Sequence, residues 1–412
     1  MTRLRAVTTR LHRPVDLVAL AGAEGVLFAR GGVGFAGQGC AARVARHEVE
    51  AVLAEIAVVD EVGGPGTGPV AFGALPFRPD DAVELVVPEV LVGCRDDGTS
   101  WVTQVVRDDS GSPGAASDPG SVVDRALAEA VAQRPDGPGP AAFDVRASRP
   151  PQEWVDAVAR ATERIAAGAL EKVVLAREVV ITADAPISVP AVLTRLARSY
   201  PGCYLYLVDG FCGASPELLV GRHDDVVRAQ PMAGTAPRRG DPDADSRTAA
   251  ALLASPTYRH EHQITIDAVH DTLLQFSSYV DYEPEPSVVA LANVVHLATS
   301  VEGRLSHPPA SVLELVDALH PTPAVCGRPE VAALDAIAEL EAFDRGRYAG
   351  AVGWVDARGN GQFAVAIRGA AIDGNQAVVV GGNGIVADAD PATELTETRA
   401  KMQAMLSAIV RP

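Results

Sequence analysis

The sequence predicts an α+β fold, a large antiparallel sheet system with flanking helices, and three observations lead to it. Strand patterns at 349–357, 361–370 and 376–382 are joined by RGNG and DGN turns, which read as a meander of antiparallel hairpins. Long helical patterns at about 244–254, 257–276, 310–319, 330–342 and 391–410 attach to those strands. No internal repeat of solenoid or propeller length is present. With 412 residues and 48% hydrophobic content, the chain is long and apolar enough for a substantial globular core.

In chain order, residues 1–110 are strand-rich: Gly25 to Ala29, Val70 to Leu75 and Ala82 to Val92 are short apolar runs punctuated by Gly and Pro. They contain no motif with assignable chemistry. The composition changes at about 108–151, where DDSGSPGAASDPG and QRPDGPGPAAFDVRASRPP surround a short helical stretch from Val122 to Gln133. Residues 111–150 therefore read as a surface excursion or linker. The pattern becomes much stronger after Pro151, over 151–410. It opens with a helix in which Trp154, Val158, Ala161 and Ile165 recur at helical spacing and Gly168 supplies the stop. The strand KVVLAREVVIT follows from Lys172, then CYLYLV at 203–208 and FCGASPELLVG at 211–221.

Charge and cysteine usage exclude several classes of function. With 35 Lys+Arg against 53 Asp+Glu the formal net charge is −18, so bulk attraction to nucleic acid or an anionic membrane is excluded and an anionic partner needs a local basic site. Only two lysines occur, Lys172 and Lys401. Lysine, unlike arginine, readily serves as a base, so a chain that otherwise uses arginine draws attention to both. The five cysteines form no C-x-x-C pair, which argues against a disulfide framework and a cysteine zinc site and suits a reducing cytoplasm. The N-terminal stretch lacks an uninterrupted apolar region, and no run is long enough to span a membrane. The charge and the absence of an association motif point to a monomer.

Candidate chemistry concentrates in the last 250 residues or so. On the C-terminal helix Glu394, Glu397 and Lys401 are spaced at three and four and share a face, a pattern that equally suits a solvated ion-pair surface. The preceding GGNGIVADADP has glycines at 381, 382 and 384 that would let backbone N–H groups approach an anion. In RHEHQITIDAVHDTL the histidines flanking Glu261 diverge on a helix, which leaves Glu261 as the usable ligand; with a carboxylate from the C-terminal helix it would form an oxygen-rich site suited to Mg²⁺. Alternation along 361–370 puts Arg368 on a face with Ala364 and Ala366, with room for a bidentate carboxylate. Lys172 shares a face with Val174 and Ala176, neighbours that desolvate an ammonium. Glu217 sits in a similarly apolar strand, where burial favours the protonated acid. A base and an acid tuned in opposite directions suit an enzyme, although two strand-end charges are the plainer alternative.

Nine blocks, in order, carry a resemblance: ALEKVVLAREV, GASPELLVGR, QPMAGTAPRRG, LLASPTYRHEH, VVHLATSVEGRL, LHPTPAVCG, RGRYAGAVGW, AVAIRGA and GGNGIVADADPATELTETRAK. Over about residues 150–405 the chain resembles the chorismate-utilising enzymes, which include isochorismate, salicylate, anthranilate and aminodeoxychorismate synthases. The resemblance implies the anthranilate synthase component I-like fold, one large unit over residues 1–412 with its chorismate-binding catalytic portion over 151–410. Lys172 matches the lysine that the water-using members employ as base, and Ala233 stands where aminodeoxychorismate synthases carry a nucleophilic lysine. The HPTPAVCG block is most similar to the isochorismate synthases, particularly those feeding catecholate siderophores.

That branch implies a Mg²⁺-dependent, reversible conversion of chorismate to isochorismate. Lys172 would deprotonate water for attack at C2 and Glu217 would protonate the departing C4 hydroxyl. Glu261 and Glu397 match metal ligands, with Glu394 behind them or reaching the metal through water. Arg368, Tyr348 and the Gly382 backbone match the grip on the enolpyruvyl carboxylate, while Gly234, Thr235, His296, Ala324 and Lys401 match other substrate-contacting positions. No ammonia-delivering glutamine amidotransferase subunit is expected. Two departures stand out. Thr257 and Tyr258 replace a lysine and an acidic residue, which bears on a carboxylate behind the metal ligands. Val325 replaces a leucine that shapes the pocket, so pyruvate-eliminating salicylate synthase is the second alternative and a non-catalytic chorismate-binding subunit the third.

Overall fold

The computed structural model describes residues 4–107, 118–133, 139–238 and 240–410. Among the described residues the strands form a 13-stranded, a 9-stranded and a 3-stranded sheet. All ladders are antiparallel except that between Leu4–Leu11 and Ala57–Asp60. The two large sheets meet over an aromatic layer in which Phe35 contacts Trp354 and Phe72 with ring centroids 4.7 and 6.1 Å apart. The outer face of the larger sheet is covered by helices that include Val189–Ser199 and Pro391–Val410, through Leu193, Leu196, Met402 and Met405. Strands from residues 4–107 enter both large sheets: Val26–Arg30 pairs with Tyr204–Val208, and Val70–Leu75 with Ala351–Asp356.

The five long helical patterns appear as Pro242–Ala254, Pro256–Leu274, Val312–Leu319, Glu330–Glu341 and Pro391–Val410. The helix carrying Glu261 begins where the Ser255 hydroxyl accepts from Tyr258 N, and the C-terminal helix where Asp390 Oδ2 accepts from Thr393 N at 2.8 Å. The stretch read as helical from Val122 is helix Pro119–Ala132. Residues 108–117 and 134–138 of the expected excursion lie outside the described residues. Its end differs from the expectation: Phe143–Ala147 is a strand paired with Val179 to Ala183 at the edge of the large sheet. The Gly/Pro-rich flanks obscured its short alternation.

Two expected strands are broken at the same level. The pattern at 211–221 is two strands, Phe211–Ser215 in the larger sheet and Leu218–His223 in the smaller, with Pro216 and Glu217 between them. The pattern at 361–370 is likewise Gly361–Val365 in the smaller sheet and Gly369–Asp373 in the larger. These halves pair with one another, so a two-stranded ribbon passes from sheet to sheet. Val365 N donates to Glu217 O at 3.1 Å and Ala214 N to Arg368 O at 3.1 Å, bracketing the crossing. Arg368 turns the chain with φ +56°, in the left-handed region that non-glycine residues seldom occupy.

The GGNG segment also departs from expectation. It is not a loop but the end of strand Gln376–Ile385, with Gly382 opposite Ala176 and Gly384 opposite Val174. A Cβ at Gly382 would lie 2.6 Å from Leu175 O, so these glycines serve close strand packing.

At the crossing the Tyr206 hydroxyl donates to Ile367 O at 3.1 Å, and a Cβ on Gly369 would collide with that hydroxyl. Gly369→Ala should therefore destabilise the protein by about 1–3 kcal/mol through overpacking. Denaturant unfolding of the variant against wild type measures this, and an unchanged midpoint would refute it.

Candidate active site

Where the ribbon crosses, a cleft with about 600 Å³ of free space, part of it open to solvent, lies between the large sheets' junction and the small sheet Met232–Pro237, Val294–Ala298, Ser287–Ala290. Eleven of the residues singled out from the sequence line it: Lys172, Glu217, Gly234, Thr235, Glu261, His296, Ala324, Tyr348, Arg368, Gly382 and Lys401. Glu394 and Glu397 do not line it directly; they stand on the first turns of the C-terminal helix.

Lys172 opens the strand Lys172–Ala183 and is 2% exposed. The apolar neighbour Val174 lines the cleft beside it, as the alternation predicts. Its Nζ also donates to Glu261 Oε1 at 2.8 Å. Lys172 and Glu261 thus form an ion pair whose lysine side chain is buried. Gly384 makes room for that pair, since a Cβ there would lie 2.6 Å from Lys172 Cε and 3.0 Å from Glu261 Oε1.

Glu217 occupies the crossing rather than a strand, and it is 4% exposed. Its Oε1 accepts from Met232 N at 3.3 Å. Burial pushes its carboxyl up to about 7, against the opposing pull of the Met232 N–H, Arg368 and Lys172. A carboxyl so tuned holds a proton near neutral pH and can donate it.

Arg368 reaches the cleft from the bend, not from the small-residue strand face expected from alternation, because the strand ends at Val365. Its Nη2 donates to His296 Nε2 at 3.3 Å, which leaves His296 Nδ1 as the protonated nitrogen facing Thr235 Oγ1 at 3.0 Å. Burial, followed by the charges of Arg368 and Lys401, holds the His296 pKa well below the usual range, so the imidazole is neutral. Arg368 Nε is buried without a partner, a donor suited to an incoming carboxylate. Tyr348 is buried nearby. Gly234 forms a bulge with φ +74°, a conformation that favours glycine, and Tyr258 packs behind it.

Across the cleft, Lys401 Nζ pairs with Glu397 Oε1 at 2.7 Å and donates to Gly382 O at 3.2 Å. Glu394 Oε2 and its backbone carbonyl both accept from Asn383 Nδ2 at 2.8 Å. Burial first, and then Glu397 and Glu261, push the Glu394 carboxyl up to about 7. Asn383, which holds Glu394 in this way, carries no signal in the sequence beyond a lone amide among glycines. Tyr258 stands close enough to Glu397, Glu261 and Glu394 for their charges to add to burial in raising its hydroxyl pKa.

A chorismate binding enzyme family model matches residues 35–410 of the chain. The chain belongs to the chorismate binding enzymes. A Mycobacterium tuberculosis protein, provisionally named isochorismate synthase MenF, is 37% identical over 421 residues, covering 98% of this chain and 99% of that one. Isochorismate synthase EntC of Escherichia coli is 35% identical over 344 residues, 82% of this chain and 81% of that protein. A Bacillus anthracis crystal structure, provisionally named 2,3-dihydroxybenzoate-specific isochorismate synthase DhbC, is 32% identical. It superposes with a TM-score of 0.78 over 95% of this chain and 98% of that one.

For a chorismate binding enzyme the carboxylate side of the cleft raises the question of a metal. Among the described residues no three His, Cys, Asp or Glu side chains converge as a metal cage. Mg²⁺ does not require one, since it is usually held by one or two carboxylates together with waters and an anionic substrate. Burial first, and then the charges of Glu397 and Glu261, raise Glu394, while an ammonium already answers each of Glu261 and Glu397; these carboxylates are the oxygen donors this side of the cleft offers.

Glu217 provides a stability test. Its folded-state pKa lies above the ordinary carboxyl value of 4.5, so from about pH 4.5 to about 7 the unfolded chain releases a proton that the native protein keeps, and stability falls as pH rises. Full stability from this group is present below pH 4.5 and is lost by about pH 7. Glu217→Gln should remove on the order of 3 kcal/mol of that pH dependence. Parallel denaturation series for the two proteins measure it, and identical pH slopes would overturn the assignment.

Proposed function

We propose that the protein is an isochorismate synthase, which adds water at C2 of chorismate and expels the C4 hydroxyl in a reversible isomerisation. The observation that carries this reading is a single cleft lined by a buried lysine and a carboxyl poised near neutrality, with a buried arginine between them and the small sheet. Family membership and relatives named isochorismate synthase support it.

In this reading Lys172, once its bond to Glu261 opens and its ammonium has released a proton to solvent, takes a proton from water as the free amine and directs the hydroxide to C2. Glu217 delivers its proton to the leaving hydroxyl, and the two groups exchange roles in the reverse direction. Arg368, oriented by neutral His296 and with Nε still available, receives the enolpyruvyl carboxylate; Tyr348 and the Gly382 backbone flank that position. Gly234, Thr235 and Ala324 shape the wall against the ring. Mg²⁺, held by Glu261 and Glu397 with Glu394 behind them, would supply positive charge for the ring carboxylate. Lys401 keeps Glu397 in place at that end. Because water is the nucleophile, no ammonia-delivering partner is required. The isochorismate would feed a siderophore route through 2,3-dihydroxybenzoate.

Incubation with chorismate and Mg²⁺ should yield isochorismate without ammonia, and Lys172→Ala should lower kcat by roughly 10²–10⁴-fold. Chromatography of products resolves the outcome. Normal turnover by the variant would remove Lys172 as the base, and stoichiometric pyruvate with an aromatic product would make the protein a salicylate synthase instead.

A further inference from the structure

We propose that the buried Glu341–Arg345 ion pair is a positioning unit that sets the place of Lys172 and of the Ala324–Val325 wall. It rests on the reading of Lys172 as the base. On the side away from Gln376–Ile385, the strand carrying Lys172 has two separate partners. Gly327–Arg328 pairs with Lys172 and Val173, and Phe143–Ala147 pairs with Val179 to Ala183. Between them the edge groups of Val174 and Ala176 face no strand. Val174 N donates to Cys326 O at 2.7 Å, and the side-chain pair satisfies the groups beyond.

Arg345 Nη2 donates to Val174 O at 2.8 Å while Nη1 donates to Val325 O at 2.8 Å. The guanidinium thus stands as an extra rung between the base-bearing strand and the turn that forms the cleft wall. Glu341 Oε1 accepts from Ala176 N at 2.7 Å, and its two oxygens also accept from Arg345 Nε, at 2.8 Å, and Nη2. The Phe77 ring covers the guanidinium, with its centroid 4.2 Å away. Both side chains are 2% exposed. A fully desolvated pair is a poor source of stability compared with apolar packing, and a planar arginine fork fixes geometry as few other groups do. Every backbone contact of this pair falls within four residues of Lys172 or on the wall beside Ala324.

The chain has only two lysines, so Lys172 and Lys401 serve as internal probes. Arg345→Lys, whose added amine is separated from Lys172 and Lys401 by peptide mapping, and Glu341→Gln are compared with wild type by amine acylation read by mass spectrometry, by near-ultraviolet circular dichroism and by steady-state kinetics. Lys172 should acylate about 10-fold faster with Lys401 unchanged. At the same time kcat should fall roughly 10²-fold with KM for chorismate within about threefold, the signature of a misplaced group in a folded site. Equal acceleration at both lysines would mean general loosening and would overturn the proposal, as would unchanged Lys172 protection with kcat within about twofold of wild type. If Arg345→Lys does not fold, Glu341→Gln decides alone, since it keeps an acceptor for Ala176 N. Wild-type protein that makes no isochorismate would sink the proposed reaction, while the acylation ratio would still judge the clamp.

Discussion

The crossing of one antiparallel ribbon between two sheets is the constraint from which the cleft follows. A side chain inside a strand is committed to one of two faces, and in this chain both faces near the junction are filled by core. Glu217 and Arg368 escape that commitment because each lies between the strand halves, and the bonds Val365 N to Glu217 O and Ala214 N to Arg368 O keep the two bends side by side. Polar groups so placed are desolvated by the core yet open toward the cleft. That position holds the Glu217 proton to about pH 7 and leaves Arg368 with an unsatisfied N–H. The left-handed φ of Arg368 is strain retained at this place, and the glycines Gly213 and Gly369 admit the Tyr206 hydroxyl that ties it down.

The electrostatics are local in the same sense. A chain of net charge −18 repels a dianionic substrate at long range, so affinity must come from cations inside the cleft. Lys172 and Lys401 each face a carboxylate at 2.8 and 2.7 Å, whereas Arg368 has a neutral imidazole as its side-chain partner among the described residues. The cleft is therefore polarised, with unanswered positive charge at the sheet crossing and mutually repelling carboxylates at the helical end. Under the proposed function the two ends would orient a substrate that carries two carboxylates.

Much of this was readable in the sequence, and what was not has a physical reason. The long helices were legible because their apolar stripes and caps are local. Lys172 was legible because it is one of two lysines, but its pairing with Glu261 joins a strand to a helix 89 residues away, a distance no pattern spans. Arg368 lines the cleft, but not by the route the pattern suggested: period-two alternation continues through FAVAIRGA although the chain leaves one sheet for another at Ala366 to Arg368. Only Pro216 hinted at the companion break before Glu217. Glu341 and Arg345, four apart, resemble a solvent-facing ion pair, and burial alone reveals otherwise.

The strand Gln376–Ile385 shows how the two charged ends come to share one cleft. The Lys172 strand lies on one side of it in the ladder, and the C-terminal helix packs across it. Side chains at 381, 382 and 384 would hold these elements apart: a Cβ at Gly381 would lie 2.7 Å from Met402 Cγ, and one at Gly384 would reach the Lys172–Glu261 pair. Bare backbone there allows helix, strand and ion pair to approach together. Asn383, the one substantial side chain in the stretch, turns toward the helix and holds Glu394 by both its carboxylate and its carbonyl. The glycines that suggested an anion-binding loop thus act by removing volume, which lets the Lys172–Glu261 pair and the C-terminal helix approach the same strand.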